Sequence, residues 1–288
     1  MSLRLEMLQV ARLAPKSLGD AADLSAQFFS SRINPDGGFQ DREGASDLYY
    51  TVFGLEGLRA LQRELPTETG PYAESFGAGD ALDFVHTACL ARCRANLDLP
   101  RDGRIAERLE RFRTADGGYN PAEDASHGTA YGCFLALGAY QDLGLEPPRP
   151  GAMFACLESL RSADGGFSNQ PGAPVGLTPS TAAAVTLYRA LGRPVPEGAA
   201  EWLLARCLPE GGFFATPLAP LPDLLSTATA LHALSGAGAA LDAVREPCLD
   251  FVDSLWSNQG GFYGHWSDDA QDCEYAYYGL LALGHLSL

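Results

Sequence analysis

The chain is nearly devoid of lysine. Lys16 is its only one among 20 basic residues, which face 36 acidic residues for a formal net charge of −16. A nucleic-acid partner needs a basic surface, and an anionic membrane face needs a basic patch, so this balance argues against both. No apolar run approaches the roughly 18 residues of a membrane span. The opening stretch "MSLRLEMLQVARLAP" lacks the long apolar core and clean cleavage site of a secretory signal. The seven cysteines (Cys89, Cys93, Cys133, Cys156, Cys207, Cys248 and Cys273) are odd in number, and no pair has zinc-knuckle spacing. Most of them fall on apolar helical positions such as "MFACLESL", which reads as reduced core residues of a cytoplasmic protein. With 46% apolar and 19% charged residues, the chain can bury a sizeable core and is not disordered.

What the sequence has in abundance is a repeat. A diglycine followed by an aromatic recurs at Gly37 ("DGGFQ"), Gly117 ("DGGYN"), Gly165 ("DGGFS"), Gly211 ("EGGFF") and Gly260 ("QGGFY"), at intervals of 80, 48, 46 and 49 residues. The first interval is close to twice the others, so one degenerate unit lies inside it and the total is six. An amphipathic helix leads into each turn, as in "PCLDFVDSLWS". After a loop comes a second helix that is small and apolar nearly all round, as in "STAAAVTLYRALG" and "YAYYGLLALG". A helix apolar on every side is buried. Helix pairs that cannot cover their own apolar faces must stack on neighbours. The last inner helix is apolar to the C-terminus, so closing the stack into a ring covers it. The expectation is one all-α domain over residues 1–288: a closed α/α (α6/α6) barrel of six helix-pair repeats with Gly-Gly-aromatic turns.

Aligning the starts of the inner helices gives "DLYYT", "DFVHT", "DASHG", "LTPST", "DLLST" and "QDCEY". The fourth residues are Tyr50, His86, His127, Ser180, Ser226 and Glu274, and a closed barrel sets them around the mouth of its cavity. The recurring Asp is a helix N-cap. Capping does not account for two histidines in neighbouring units. A helix N-terminus disfavours imidazolium, so neutral, metal-competent rings are expected there. His86 and His127 can share a zinc ion, with Asp47, Asp83 or Asp124 as third ligand and water or substrate as fourth. His232 lies deeper and reads as a packed or hydrogen-bonded core residue; His285 reads as structural. Aromatic residues on the inner helices, among them Tyr49, Phe84, Tyr131, Tyr275 and Tyr278, suit an extended apolar ligand and a cationic intermediate.

The whole chain resembles the prenyltransferase and squalene-cyclase repeat family, which includes protein prenyltransferase β subunits and class II terpenoid cyclases. The Gly-Gly-aromatic turns at 46 to 49-residue spacing carry the resemblance. "GGFQDR" is similar to the transferase turn bearing a diphosphate-binding arginine, which maps to Arg42. "DFVHT" is similar to the segment whose histidine binds the catalytic zinc, which maps to His86. The resemblance implies an enzyme that binds a polyprenyl diphosphate in the aromatic cavity and transfers the prenyl group to a nucleophile. Its Asp-x-Cys zinc ligands fall near Asp47 and Tyr50, and Asp272, Cys273 and Glu274 offer a second version in unit six. His265 takes the place of a second diphosphate arginine, and Asp268, Asp269 and Asp272 can hold magnesium with the diphosphate. A helical partner subunit or a protein acceptor is implied by the transferases. Two other functions remain open: a non-catalytic toroid that binds a lipid or protein, and a small terpenoid cyclase using rim carboxylates as acids.

Overall fold

A computed structural model describes residues 1–288. Helix α1 (Leu3–Ala11) and the single turn α2 (Pro15–Leu18) precede six pairs of outer and inner helices. The pairs are α3 (Ala21–Ser31) with α4 (Leu48–Ala60), α5 (Thr69–Ser75) with α6 (Phe84–Asn96), and α7 (Arg104–Leu109) with α8 (Ala130–Leu143). They continue as α9 (Pro150–Ser159) with α10 (Thr178–Ala190), α11 (Ala199–Leu204) with α12 (Leu224–Gly236), and α13 (Asp242–Ser254) with α14 (Cys273–Leu286). Each inner helix packs on the next, and α14 returns to pack on α4, which closes the ring. The degenerate unit is the α5/α6 pair. The only sheet is a two-residue ladder, Phe39–Gln40 against Ser46–Asp47.

The Gly-Gly-aromatic turn is built for contact with the next unit. The first glycine has φ near +90° at Gly37, Gly117, Gly165, Gly211 and Gly260, a backbone that side-chain-bearing residues rarely adopt. At Gly37 an added Cβ would lie 2.2 Å from Glu68 O at the start of α5; at Gly211 it would meet Pro247 O of α13. The second glycine receives a bulky side chain from the following outer helix: Tyr72 at Gly38, Trp202 at Gly166 and Phe251 at Gly212. In the last unit Gly260 abuts Leu24 and Gly261 abuts Phe28, both on α3, so the same contact that joins successive units also joins the last to the first. The aromatic third residue points inward. Phe39, Phe167 and Phe213 are fully buried, and their amides donate to the hydroxyls of Thr51, Thr181 and Thr227 on the paired inner helices.

Helix α1 was not distinguished by any motif, yet it touches every inner helix. It packs on α14, α4 and α8. Arg4 binds Asp142 of α8 and Asn96 of α6, and Glu6 reaches Arg189 of α10 and His232 of α12. These partners lie in the C-terminal halves of their helices, so α1 plugs that end of the toroid and leaves the N-terminal end as the mouth. No helix is long and apolar enough to cross a membrane.

Candidate functional site

The cap geometry revises the alignment of the inner-helix starts. Asp47, Asp83, Asp223 and Asp272 cap α4, α6, α12 and α14 through their carboxylates, as a helix N-terminus favours. In unit three the cap is Thr129, which accepts from the Gly132 amide. Asp124 is therefore an exposed loop residue, and His127 precedes the helix by three residues instead of sitting in its first turn. In unit six the cap is Asp272, so Tyr275, not Glu274, is the counterpart of His86.

The five residues proposed as zinc ligands do not form a metal-holding group, nor do any other three His, Cys, Asp or Glu residues. His127 Nδ1 contacts the Ser126 hydroxyl, and Asp124 has no role at the mouth. His86, Asp47 and Asp83 do come together, but as an ion-paired triad. Nε2 lies 2.9 Å from Asp47 Oδ2 and Nδ1 2.9 Å from Asp83 Oδ1, so both ring nitrogens are taken. The hydrogen bond to Asp47 is the main reason its pKa rises to about 9. The expected neutral ligand is thus an imidazolium, because two carboxylates outweigh the helix terminus. Its contribution to stability is complete below the unfolded value near 6.5 and is lost as pH rises through about 9. NMR titration of His86 should give a midpoint near 9 in the wild type, falling toward 6.5 in Asp47→Asn; a wild-type midpoint below 7 would refute the triad.

The second version of the zinc motif fails for a different reason. Cys273 is fully buried, and burial pushes its thiol pKa up, so no thiolate is presented. Asp272 and Asp268 are both occupied by Arg42, whose Nε lies 2.7 Å from Asp272 Oδ2 and whose Nη2 lies 3.0 Å from Asp268 Oδ2. Burial works against the charge on Arg42, but the hydrogen bonds to these two carboxylates outweigh it and raise its pKa. Two of the three carboxylates assigned to magnesium are thus ion-paired, and the charge on Arg42 is no longer free for a diphosphate. Lys16 is no substitute: it lies on α2, whose Ser17 hydroxyl contacts Ser287 at the plugged end. As they stand, the zinc and magnesium candidates form no metal-holding group of three.

A cavity of about 280 Å³ lies inside the ring, and a lobe of about 80 Å³ adjoins it through shared walls of Met7, Tyr49, Tyr131, Phe134 and Tyr278. Tyr131 is 38% exposed, which marks the opening at the helix N-termini. The cavity exists because its two sides differ. Tyr49, Tyr131, Phe134 and Tyr278 form an aromatic wall; Ser180, Ala182, Ala183 and Thr186 of α10, with Thr229 of α12, form a small-residue wall. Other residues assigned to the lining lie elsewhere. Phe84 is fully buried against Phe112 and Tyr119 on the outer side of α6, and Tyr275 packs on Gly264 with Arg42 over its ring. His265 is a surface loop residue that accepts from the Ser267 amide. Sequence reasoning missed Met7, Asn169 and the small-residue wall. The contrast between "STAAAVT" and "YAYYG" was the available signal for the last of these.

At the mouth, Tyr49 OH donates a 2.5 Å hydrogen bond to Glu274 Oε1. Burial is the main reason the Glu274 pKa rises to about 7; the Tyr49 hydrogen bond opposes the rise and Asp272 adds to it. Tyr50 stacks edge-on against Tyr49 and, chiefly through burial, has its pKa raised to about 12. The site thus joins a carboxyl group that is half protonated near neutrality to an aromatic cavity, the pairing needed to donate a proton and then shelter a cation.

The prenyltransferase alpha-alpha toroid domain model matches residues 5–87, 68–214 and 193–287, nearly the whole chain. Among solved structures, the chain is similar to the type II terpene cyclase MstE from Scytonema in complex with geranylgeranyl dihydroxybenzoate. The TM-score is 0.63 at 14% identity, covering 95% of this chain and 97% of that one. It is also similar to the Candida albicans protein geranylgeranyltransferase-I complexed with GGPP, with a TM-score of 0.69 at 15% identity, covering 92% and 90%. A protein from Actinoplanes has a TM-score of 0.58 at 17% identity, covering 93% and 98%. No curated protein matches the chain significantly in sequence.

Proposed function

The chain belongs to the prenyltransferase alpha-alpha toroid family, and from that premise we propose that it is an isoprenoid-handling enzyme that starts cyclisation of an unsaturated chain by protonating it. The observation that carries this reading is the Glu274–Tyr49 pair beside the aromatic cavity. When Glu274 is protonated it becomes the donor to the Tyr49 oxygen, which turns the Tyr49 hydroxyl toward the cavity. The Tyr49 proton then adds to one carbon of a double bond while the Glu274 carboxyl proton moves onto the Tyr49 oxygen. The other carbon becomes a tertiary cation, and Glu274 becomes a carboxylate. A second double bond of the chain attacks the cation and forms the ring bond. Loss of a proton from a neighbouring carbon leaves a new double bond, and a proton returns to Glu274. Tyr49, Tyr131, Phe134 and Tyr278 face the cation with their π-systems.

Prenyl transfer receives less support, since it needs a free cationic site for the diphosphate, and Arg42 is bound to Asp268 and Asp272. The cavity volume, at the lower edge of the roughly 300–1,000 Å³ of ligand pockets, suits a short isoprenoid. The test is incubation with geraniol, farnesol and their diphosphates, followed by gas chromatography and mass spectrometry. Cyclisation gives products isomeric with the substrate. Release of diphosphate with a prenylated acceptor would replace this reading by transfer. Binding without turnover would replace it by a lipid-binding toroid.

A further inference from the structure

The deep end of the cavity carries a polar side chain, His232, beside Met7 of α1, which a plain hydrocarbon tail does not require. His232 lines the cavity two turns below the rim of α12 and is 4% exposed. Its Nδ1 lies 3.0 Å from His285 Nε2, and its own Nε2 is buried without a hydrogen-bond partner. An unpaired buried nitrogen of this kind is costly unless a ligand completes it. At the other end of the same cavity Asn169 Oδ1 is also buried and unpartnered.

The neighbours of His232 fix what its Nε2 offers. Burial keeps both imidazoles neutral, His232 down to about 4 and His285 to about 3. The Glu6 carboxylate lies 3.8 Å from His232 Nε2, too far for a hydrogen bond but close enough to favour a proton there. His285 then donates through Nε2–H to His232 Nδ1, and His232 presents Nε2–H. This donor selects an oxygen acceptor. The charge on Glu6 repels an anionic one; Arg189 pairs with Glu6 at 2.8 Å through Nη2, and its Nη1 packs against Gly236 at the C-terminal end of α12.

We infer that the floor of the cavity is a binding site for a neutral oxygen function, a hydroxyl or carbonyl, at the leading end of the ligand, with His232 Nε2–H as its donor. Resting on the isoprenoid reading above, it names the substrate class: an isoprenoid alcohol or ketone that enters oxygen end first. His232 sits seven residues below the level of Leu225, or about 10 Å along the helix. A chain anchored there extends its remote double bonds toward Tyr49 and Glu274 at the mouth. His232 is a positioning residue and Glu274 the acid, which assigns opposite ends of one ligand.

The test measures binding of farnesol, the hydrocarbon farnesene and farnesyl diphosphate by calorimetry, in the wild type and in His232→Phe. The wild type should prefer farnesol to farnesene by about tenfold or more, the usual consequence of completing a buried polar group. His232→Phe should erase that preference by weakening farnesol while leaving farnesene as tight or tighter. In unmodified protein, farnesol but not farnesene should shift the His232 imidazole nitrogen resonance, a readout independent of whether the variant folds. Equal binding of farnesol and farnesene, an unmoved His232 resonance, or preferential binding of the diphosphate overturns the floor site and leaves the isoprenoid reading standing. Binding of none of the three overturns both.

Discussion

Glu274→Gln should lower the rate of isomer formation by about 10²–10⁴-fold, the range a positioned general acid supplies, with ligand affinity unchanged. Glutamine keeps the size and the acceptor for the Tyr49 hydroxyl but has no transferable proton. Tyr49→Phe should fall with it, because the phenol carries the proton into the cavity. The pH dependence follows from the shift of Glu274 from 4.5 to about 7, caused first by burial. The acid must be protonated to act, so the wild-type rate should decline as pH rises through about 7. The same shift favours the neutral carboxyl in the folded state. Its contribution to stability is complete below the unfolded value and is lost as pH rises through about 7. Wild-type protein should therefore lose stability relative to Glu274→Gln between about pH 5 and pH 8. Initial rates measured across that range decide the matter: a flat profile, or a variant with undiminished rate, would remove Glu274 from the chemistry.

Why the ring was legible in the sequence and the site only partly so has a physical reason. The Gly-Gly-aromatic turns repeat because each needs a positive-φ glycine and a buried aromatic, and most also set the first glycine against the next outer helix and the second under a bulky side chain. A constraint met in five of six units leaves a readable period. The helix caps were less secure, since Thr129 caps as well as Asp does, and in unit six the acidic loop offered two starting registers. A shift of one residue moved Glu274 out of the His86 ring of positions and paired it with Tyr49. His127 was placed in the first turn of α8 because "DASHG" imitates "DFVHT", while its true offset put it in a loop. Ion pairing was not legible at all. That Arg42 lies against Asp268 and Asp272 depends on the ring bringing units one and six together across more than 200 positions. The plug α1 was invisible for a related reason: nothing repeats it, and its polar partners are spread over four inner helices.

Asp142→Ala should destabilise the fold by about 3–5 kcal/mol, the cost of removing one partner from a buried ion pair. The side chain of Asp142 is 1% exposed and takes Arg4 Nε at 2.9 Å on one oxygen and Arg92 Nε at 2.9 Å on the other. Glu56, also 1% exposed, lies 3.7 Å from Arg92 and accepts from Asn96, and Asn96 in turn accepts from Arg4. The network thus joins α1 to α4, α6 and α8. Burial raises the Glu56 pKa, while Arg92 and Asn96 partly offset that. Without Asp142, two guanidinium groups face each other with only Glu56 between them. Domains of this kind have about 5–15 kcal/mol in total, so the loss should appear as a large drop in the urea midpoint with an unchanged slope. Arg4→Met should cost much less, because Asp142 keeps Arg92. A change below 1 kcal/mol in Asp142→Ala would show the network to be dispensable. The same variants bear on the cavity: Arg4 and Glu6 fix the plug that carries Met7 and faces His232. Arg4→Met should therefore weaken farnesol binding more than it weakens the fold, since the floor depends on how α1 is seated and the ring does not.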